Sequence, residues 1–192
     1  NTDRIVIYDN SDVLSSCRGW YNFIYFGHDK NLVSVLDGGL KKWLIENRKT
    51  TSEKTILNNS TYRATEDKNL VKSIHEINEN IEQKNFKIID ARSKERFNGS
   101  VPDPRKNVRS GSIPNSVCLP FKEIINSSDN TFKSVSEISK KFSEIIDLND
   151  DKRVFSCGSG ITACVLGLAY SLVNNTYSPT VYDGSWAEYG RI

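Results

Sequence analysis

Val154-Phe155-Ser156-Cys157-Gly158-Ser159-Gly160-Ile161-Thr162-Ala163 is the stretch on which the reading of this chain turns. The apolar residues before Cys157 predict a buried strand over 153–156. Residues 157–162 read as a tight, glycine-bearing turn, and the apolar residues beyond it as a helix to about Asn174. In such a unit the N–H groups of the turn and of the helix N-terminus converge on the cysteine sulfur. They favour an anion there by hydrogen bonds and by the helix dipole. Glycines at 158 and 160 let the backbone wrap closely, because glycine tolerates φ > 0. The plainer reading is a small cysteine packed at a strand end. The Gly-Ser-Gly wrap favours a site for a thiolate, or for an anion carried on sulfur.

Working outward, the segments alternate between strand and helix. Residues 4–8 read as a strand, 12–26 as a helix stopped at Gly27, 33–36 as a strand closed by Asp37-Gly38-Gly39, and 40–48 as a helix. Residues 49–67 are polar and read as an interdomain linker. A helix is expected from about 70 to 83, with Leu70, Ile74, Ile77 and Ile81 on one face. A strand follows over 86–89, ending at Asp90, then a Gly/Pro/Ser/Arg-rich loop over 98–116 and a short strand over 117–119. Ser134-Val135-Ser136-Glu137 fits a capping box opening a helix to about Ile146. The last strand, 180–182, is closed by Asp183-Gly184. Strand–helix alternation of this kind predicts an α/β fold with a parallel sheet and crossover helices.

The chain also echoes itself. Val35-Leu36-Asp37-Gly38-Gly39-Leu40 resembles Val181-Tyr182-Asp183-Gly184-Ser185-Trp186, and Ile7-Tyr8-Asp9 precedes its helix as Phe155-Ser156-Cys157 precedes its own. Asp37 follows Asp9 by 28 residues, and Asp183 follows Cys157 by 26. This spacing predicts one and a half copies of one α/β unit. At roughly 150 residues per domain, 192 residues make about 1.3 domains. The chain contains no Met and begins Asn1-Thr2-Asp3. Together these predict a processed or incomplete chain lacking the front half of its first copy, with a sheet edge and part of a core exposed. The expected domains are 1–48 (the C-terminal half of an inactive copy), 49–67 (linker) and 68–192 (a complete catalytic domain).

Composition narrows the function classes. Lys+Arg 26 against Asp+Glu 24 is nearly balanced, and the charges are interspersed, which argues against nucleic acid as the main partner. No apolar run approaches the ~18 residues a membrane span needs, and no signal-peptide pattern opens the chain. The cysteines, Cys17, Cys118, Cys157 and Cys164, form no C-x-x-C pair, and His28 and His75 stand far apart. Structural zinc is therefore not expected. Disulfides are not expected either, so the composition points to a reducing compartment. Cys17, Cys118 and Cys164 read as packing residues.

A strand–Cys–turn–helix unit has two chemical readings. In a cysteine phosphatase the loop is C-x5-R, and its arginine clamps the phosphoryl group. Here that position is Ala163. In a sulfur carrier the cysteine accepts a sulfane sulfur, becomes a persulfide and passes the sulfur on. The uncharged loop fits the second reading better.

At this point the sequence resembles the two-domain rhodanese superfamily, and most closely its 3-mercaptopyruvate sulfurtransferases. The resemblance rests on Cys157 to Ala163, Asp90-Ala91-Arg92, Arg96-Phe97-x-Gly99, Pro102-Asp103-Pro104-Arg105, Gly111-x-Ile113-Pro114-x-Ser116-Val117, Asp183-Gly184-Ser185-Trp186 and Leu36-Asp37-Gly38-Gly39, and covers essentially residues 4–190. It implies a rhodanese-like parallel sheet flanked by helices, with an inactive N-terminal copy. Asp9, standing where the second copy has Cys157, agrees with that. It implies sulfur transfer from 3-mercaptopyruvate through a persulfide on Cys157 to a thiol or cyanide, releasing pyruvate, with no metal or organic cofactor. Arg96 and Arg105 are the implied substrate anchors. The amides of Gly158, Ser159, Gly160, Ile161 and Thr162 form the implied cradle, and Ser159 is either a donor to the substrate or a plain turn serine. Implied partners are a small-molecule sulfur donor and a thiol acceptor, including a thioredoxin-type reductant. The implied compartment is the cytoplasm, or the mitochondrial matrix in a eukaryote. Thiosulfate-using members typically carry Arg and Lys after the cysteine, where this chain has Gly158 and Ser159. A thiosulfate sulfurtransferase and a non-catalytic rhodanese-like binding module stand as alternatives. Ser112 and Asn115 depart from a His and a Gly of the family pattern, with a local effect expected.

Overall fold

A computed structural model describes residues 2–149 and 152–192. Five short strands, β3 (Val71–Lys72), β4 (Lys87–Asp90), β5 (Val117–Cys118), β6 (Arg153–Ser156) and β7 (Val181–Tyr182), form one sheet in the order β3-β7-β6-β4-β5, every pair parallel. Side chains alternate across it, as strand geometry demands. Ile88, Val154 and Tyr182 face a core shared with Ile77 and Trp186. Ile89, Phe155 and Val181 face a larger core shared with Ile138, Phe142, Leu166 and Tyr170. Both faces are covered, which explains why these strands are apolar throughout rather than alternating.

Helices α3 (Ile74–Gln83), α5 (Val135–Ser143) and α6 (Ile161–Val173) supply most of that cover. Ser134 caps α5 in a full capping box with Glu137, as its sequence predicts. The helix expected from about 70 begins instead at Ile74. Ser73 and Glu76 form a second capping box there, which fixes the helix start. Val71 and Lys72 pair with Val181 and Tyr182 as an edge strand, and Leu70 packs into the larger core. Two five-residue helices, α4 (Lys94–Asn98) and α7 (Ser185–Tyr189), went unread because a turn and a half is too short to display a helical period.

The first 48 residues add a parallel pair, β1 (Ile5–Ile7) and β2 (Val33–Val35), with α1 (Ser16–Tyr25) and α2 (Gly39–Ile45). Cys17, Trp20 and Tyr21 of α1 are buried in the larger core, and α1 packs along α6. Tyr21 Oη donates to the Leu70 carbonyl at 2.6 Å. No helix or strand forms between α2 and residue 68. The end of this segment folds back on α1, where Thr65 and Asp67 donate N–H groups to the carbonyls of Phe26 and Tyr25. The outer side of β1 stays open: Val6 and Tyr8 are exposed and line a groove with Leu36, Leu40 and Trp43.

Candidate active site

The order β3-β7-β6-β4-β5 puts a switch point between β4 and β6. The chain leaves β4 toward β5 on one side and leaves β6 toward β7 on the other. Crevices open beyond the carboxyl ends of strands at such points. Asp90 ends β4 and Cys157 follows β6, so the cysteine loop stands at this crevice. A pocket of about 340 Å³ opens there. Cys157, Gly158, Ser159, Ile161 and Thr162 form one wall, and Arg96, Arg105, Arg92, Phe121, Lys122 and Val13 contribute to the rest.

The loop is held from behind. Ser185 Oγ accepts the N–H groups of both Cys157 and Gly160 at 3.1 Å and donates to the Tyr182 carbonyl at 2.8 Å. Trp186 and Ala187 donate their N–H groups to the carbonyls of Cys157 and Gly158, both at 3.0 Å. Gly160 has φ +78°, and a Cβ there would meet Asp183 Oδ1 at 2.5 Å, so only glycine fits. In front, the Ser159 N–H points at Cys157 Sγ at 3.4 Å. Ile161 and Thr162 open α6, where first-turn N–H groups have no carbonyl of their own helix to serve. The amide of Gly160, expected in the same cradle, is turned to Ser185 instead.

Arg96 and Arg105 converge on this loop. A Cβ built on Gly158 would lie 3.3 Å from both terminal nitrogens of Arg105 and from Arg96 Nη2. Asp103, with a side chain 1% exposed, makes that approach of two cations tolerable. Its carboxylate accepts Arg96 Nη2 at 2.7 Å, the Arg105 N–H at 3.0 Å and Arg105 Nη1 at 3.3 Å. Burial pushes the Asp103 carboxyl up, but the Arg96 and Arg105 contacts outweigh it and hold the group below the usual aspartate value. Two guanidiniums and one carboxylate leave a net positive charge at the pocket. Lys122 adds another.

Behind the site, Asp90 and Arg92 form a fully buried ion pair, with Arg92 Nη2 2.7 Å from Asp90 Oδ2. The Arg92 guanidinium lies 4.6 Å from the Trp186 ring and donates to the Gly111 carbonyl. Reading the sequence missed the roles of Asp103, Ser185 and Lys122, although Asp103 and Ser185 lie inside the quoted motifs. Their spacing to Arg105 and Trp186 was the available signal.

The remaining cysteines do not line the pocket. Cys17 and Cys164 are buried, and Cys118 is half-buried with Sγ 3.4 Å from the Arg92 carbonyl. Burial pushes the Cys17 and Cys118 thiols up to about 12 and raises Cys164 as well.

Comparison with known proteins adds to this geometry. The Rhodanese-like domain family matches residues 73–191. The chain is 36% identical over 211 residues to thiosulfate/3-mercaptopyruvate sulfurtransferase 1, mitochondrial, of Arabidopsis thaliana, covering 98% of this chain and 54% of that protein. It is 39% identical to 3-mercaptopyruvate sulfurtransferase of Homo sapiens, covering 97% of this chain and 62% of the relative. The chain thus spans a little over half the length of these relatives. Among solved structures, the 3-mercaptopyruvate sulfotransferase SseA from Escherichia coli superposes with a TM-score of 0.78 at 27% identity, over 96% of this chain and 68% of SseA.

Proposed function

Because the chain belongs to the rhodanese family, we propose that it is a sulfurtransferase that carries sulfane sulfur on Cys157, with 3-mercaptopyruvate as its donor. Arg96 and Arg105 hold the donor's carboxylate and carbonyl, a task suited to planar guanidinium forks. The Cys157 thiolate attacks the donor sulfur. The carbon–sulfur bond breaks, and its electron pair leaves on pyruvate enolate, which takes the proton from the donor thiol. Cys157 is left as a persulfide anion facing the N–H groups of Ser159 and the first turn of α6. An acceptor thiolate then attacks the outer sulfur, forms the acceptor persulfide and frees the Cys157 thiolate. No metal or organic cofactor enters this cycle, because the sulfur rides on the protein.

The observation that carries the reading is the meeting of both arginines over Gly158, beside a cysteine whose sulfur already receives the Ser159 N–H. A second donor, thiosulfate, is favoured by one further feature. Lys122 lines the same pocket and suits a dianion. Residues 68–192 act in this reading as the catalytic unit, residues 1–48 as the partial inactive copy and 49–67 as the linker. Thiolate chemistry at Cys157 fits a reducing compartment such as the cytoplasm or the mitochondrial matrix, with a thioredoxin-type dithiol as acceptor. Among the described residues no helix is long and apolar enough to cross a membrane. The test is pyruvate release from 3-mercaptopyruvate in the presence of a thiol or cyanide. Turnover that Cys157→Ser abolishes supports the proposal; turnover that survives the change, or none in the parent, refutes it.

A further inference from the structure

Arg18 does not line the donor pocket. It sits on α1, in the first 48 residues, yet reaches the back of the cysteine loop. Its Nη1 donates to the Gly160 carbonyl at 3.4 Å and pairs with the Asp183 carboxylate. Its Nε donates to Asn22 Oδ1 at 2.9 Å, and the guanidinium lies 5.6 Å from the Tyr21 ring. Four attachments therefore hold this side chain in one place. The Gly160 carbonyl also accepts the Cys164 thiol at 3.2 Å.

The consequence follows from peptide geometry. A peptide unit is planar and trans, so a carbonyl and the N–H that follows it point in opposite directions. No cis peptide occurs among the described residues. With the Gly160 oxygen held at the rear by Arg18 Nη1 and the Cys164 thiol, the Ile161 N–H is turned to the front. The front is the pocket, since Gly158, Ser159, Ile161 and Thr162 line it and Gly160 does not. The Gly160 N–H is tied to Ser185, so both ends of this residue are fixed.

We propose that Arg18 is a positioning residue for sulfur transfer: by holding the Gly160 carbonyl it aims the Ile161 N–H at the sulfur borne by Cys157. This rests on the sulfurtransferase reading and adds to it. It also gives the inactive copy a task at the active site of the other. The pair with Asp183 is partly exposed, its side chains 26% and 47% accessible, and contributes little to stability, so its loss should be felt in the rate.

The test compares the intact chain with Arg18→Ala, Arg18→Met and Arg18→Lys. Arg18→Met keeps the stem packed on Tyr21 and serves if Arg18→Ala does not fold. Two rates are measured: Cys157 alkylation by iodoacetamide, and single-turnover persulfide formation from 3-mercaptopyruvate. Misaiming one amide donor should slow both about ten-fold, with the donor KM within about two-fold, because Arg18 is outside the pocket. Arg18→Lys, which keeps a cation in reach of the Gly160 carbonyl, should recover most of the rate. Parental rates in Arg18→Ala and Arg18→Met, or a loss that Arg18→Lys does not relieve, overturn the proposal. If the parent itself forms no persulfide, the sulfurtransferase reading fails on that ground, while the alkylation rates still decide the role of Arg18.

Discussion

Asp9 and Cys157 hold the same place in two copies of one strand–loop–helix unit. The Asp9 carbonyl accepts the Leu40 N–H at 3.0 Å, and the Cys157 carbonyl accepts the Trp186 N–H at 3.0 Å. The strands before them pair alike, Ile7 with Val35 and Phe155 with Val181, both in parallel. What differs is the cargo. Asp9 Oδ2 accepts the hydroxyls of Ser11 and Ser15, both at 2.7 Å, and the Ser16 N–H at 3.1 Å. In the first copy the anion is built in and permanent. In the second, the proposed persulfide on Cys157 would be one that comes and goes.

That built-in anion has a measurable signature. Burial pushes the Asp9 carboxyl up, but hydrogen bonds from Ser11, Ser15 and Ser16 outweigh it and hold the group below its ordinary value of 3.8. A depressed folded-state value means stability that is fully present above about pH 4 and is lost as pH falls through the lower folded value. Asp9→Ala should cost about 1–3 kcal/mol at neutral pH by leaving donors unserved. Urea unfolding between pH 7 and pH 3 checks both statements: the variant should lose less than the parent as the pH drops.

Arg105 should separate the two donors. Its charge is shared with Asp103 and its guanidinium is aimed over Gly158, a geometry suited to a planar keto acid. Arg105→Ala should lower kcat/KM for 3-mercaptopyruvate about a hundred-fold, from the loss of a charge-assisted bidentate contact. Thiosulfate turnover should fall less. Equal losses for the two donors would remove Arg105 from this role.

The Asp90–Arg92 pair braces the wall of the site at Arg92. Both side chains are 2% exposed, so removing the cation strands a buried carboxylate. Arg92→Leu should destabilise the protein by about 3–5 kcal/mol. Denaturant unfolding reads this directly, and a change below about 1 kcal/mol would contradict the reading.

Cysteine reactivity should be selective. Burial pushes Cys17 and Cys118 up to about 12 and raises Cys164, so at pH 8 these three remain thiols. Brief treatment with iodoacetamide at pH 8 should place one adduct, on Cys157, by peptide mapping. An equal yield on Cys118 would contradict the assignment.

Local pattern made part of this legible in the sequence. The apolar runs around Ile88–Ile89 and Val154–Phe155 announced buried parallel strands, and Ser134 with Glu137 announced a helix start. The echo between Asp9 and Cys157 is visible as repeated strings, and the paired hydrogen bonds give it physical form. Long-range placement was not legible. Val71–Lys72 reads as the start of a helix until its pairing with β7 is known. Ser185 braces the cysteine loop from 28 residues away in sequence, and Arg18 reaches Gly160 across 142. Asp103 could be quoted in a motif, but only the folded loop brings it between two arginines.

The central claim is that Cys157 carries the transferred sulfur. The most direct test is the intact mass of the protein after incubation with 3-mercaptopyruvate and removal of excess donor, followed by peptide mapping. The account predicts a gain of about 32 Da, one sulfur atom held as a persulfide, located on Cys157 and discharged by cyanide. No gain in mass, or a sulfur found on Cys17, Cys118 or Cys164 instead, would contradict it.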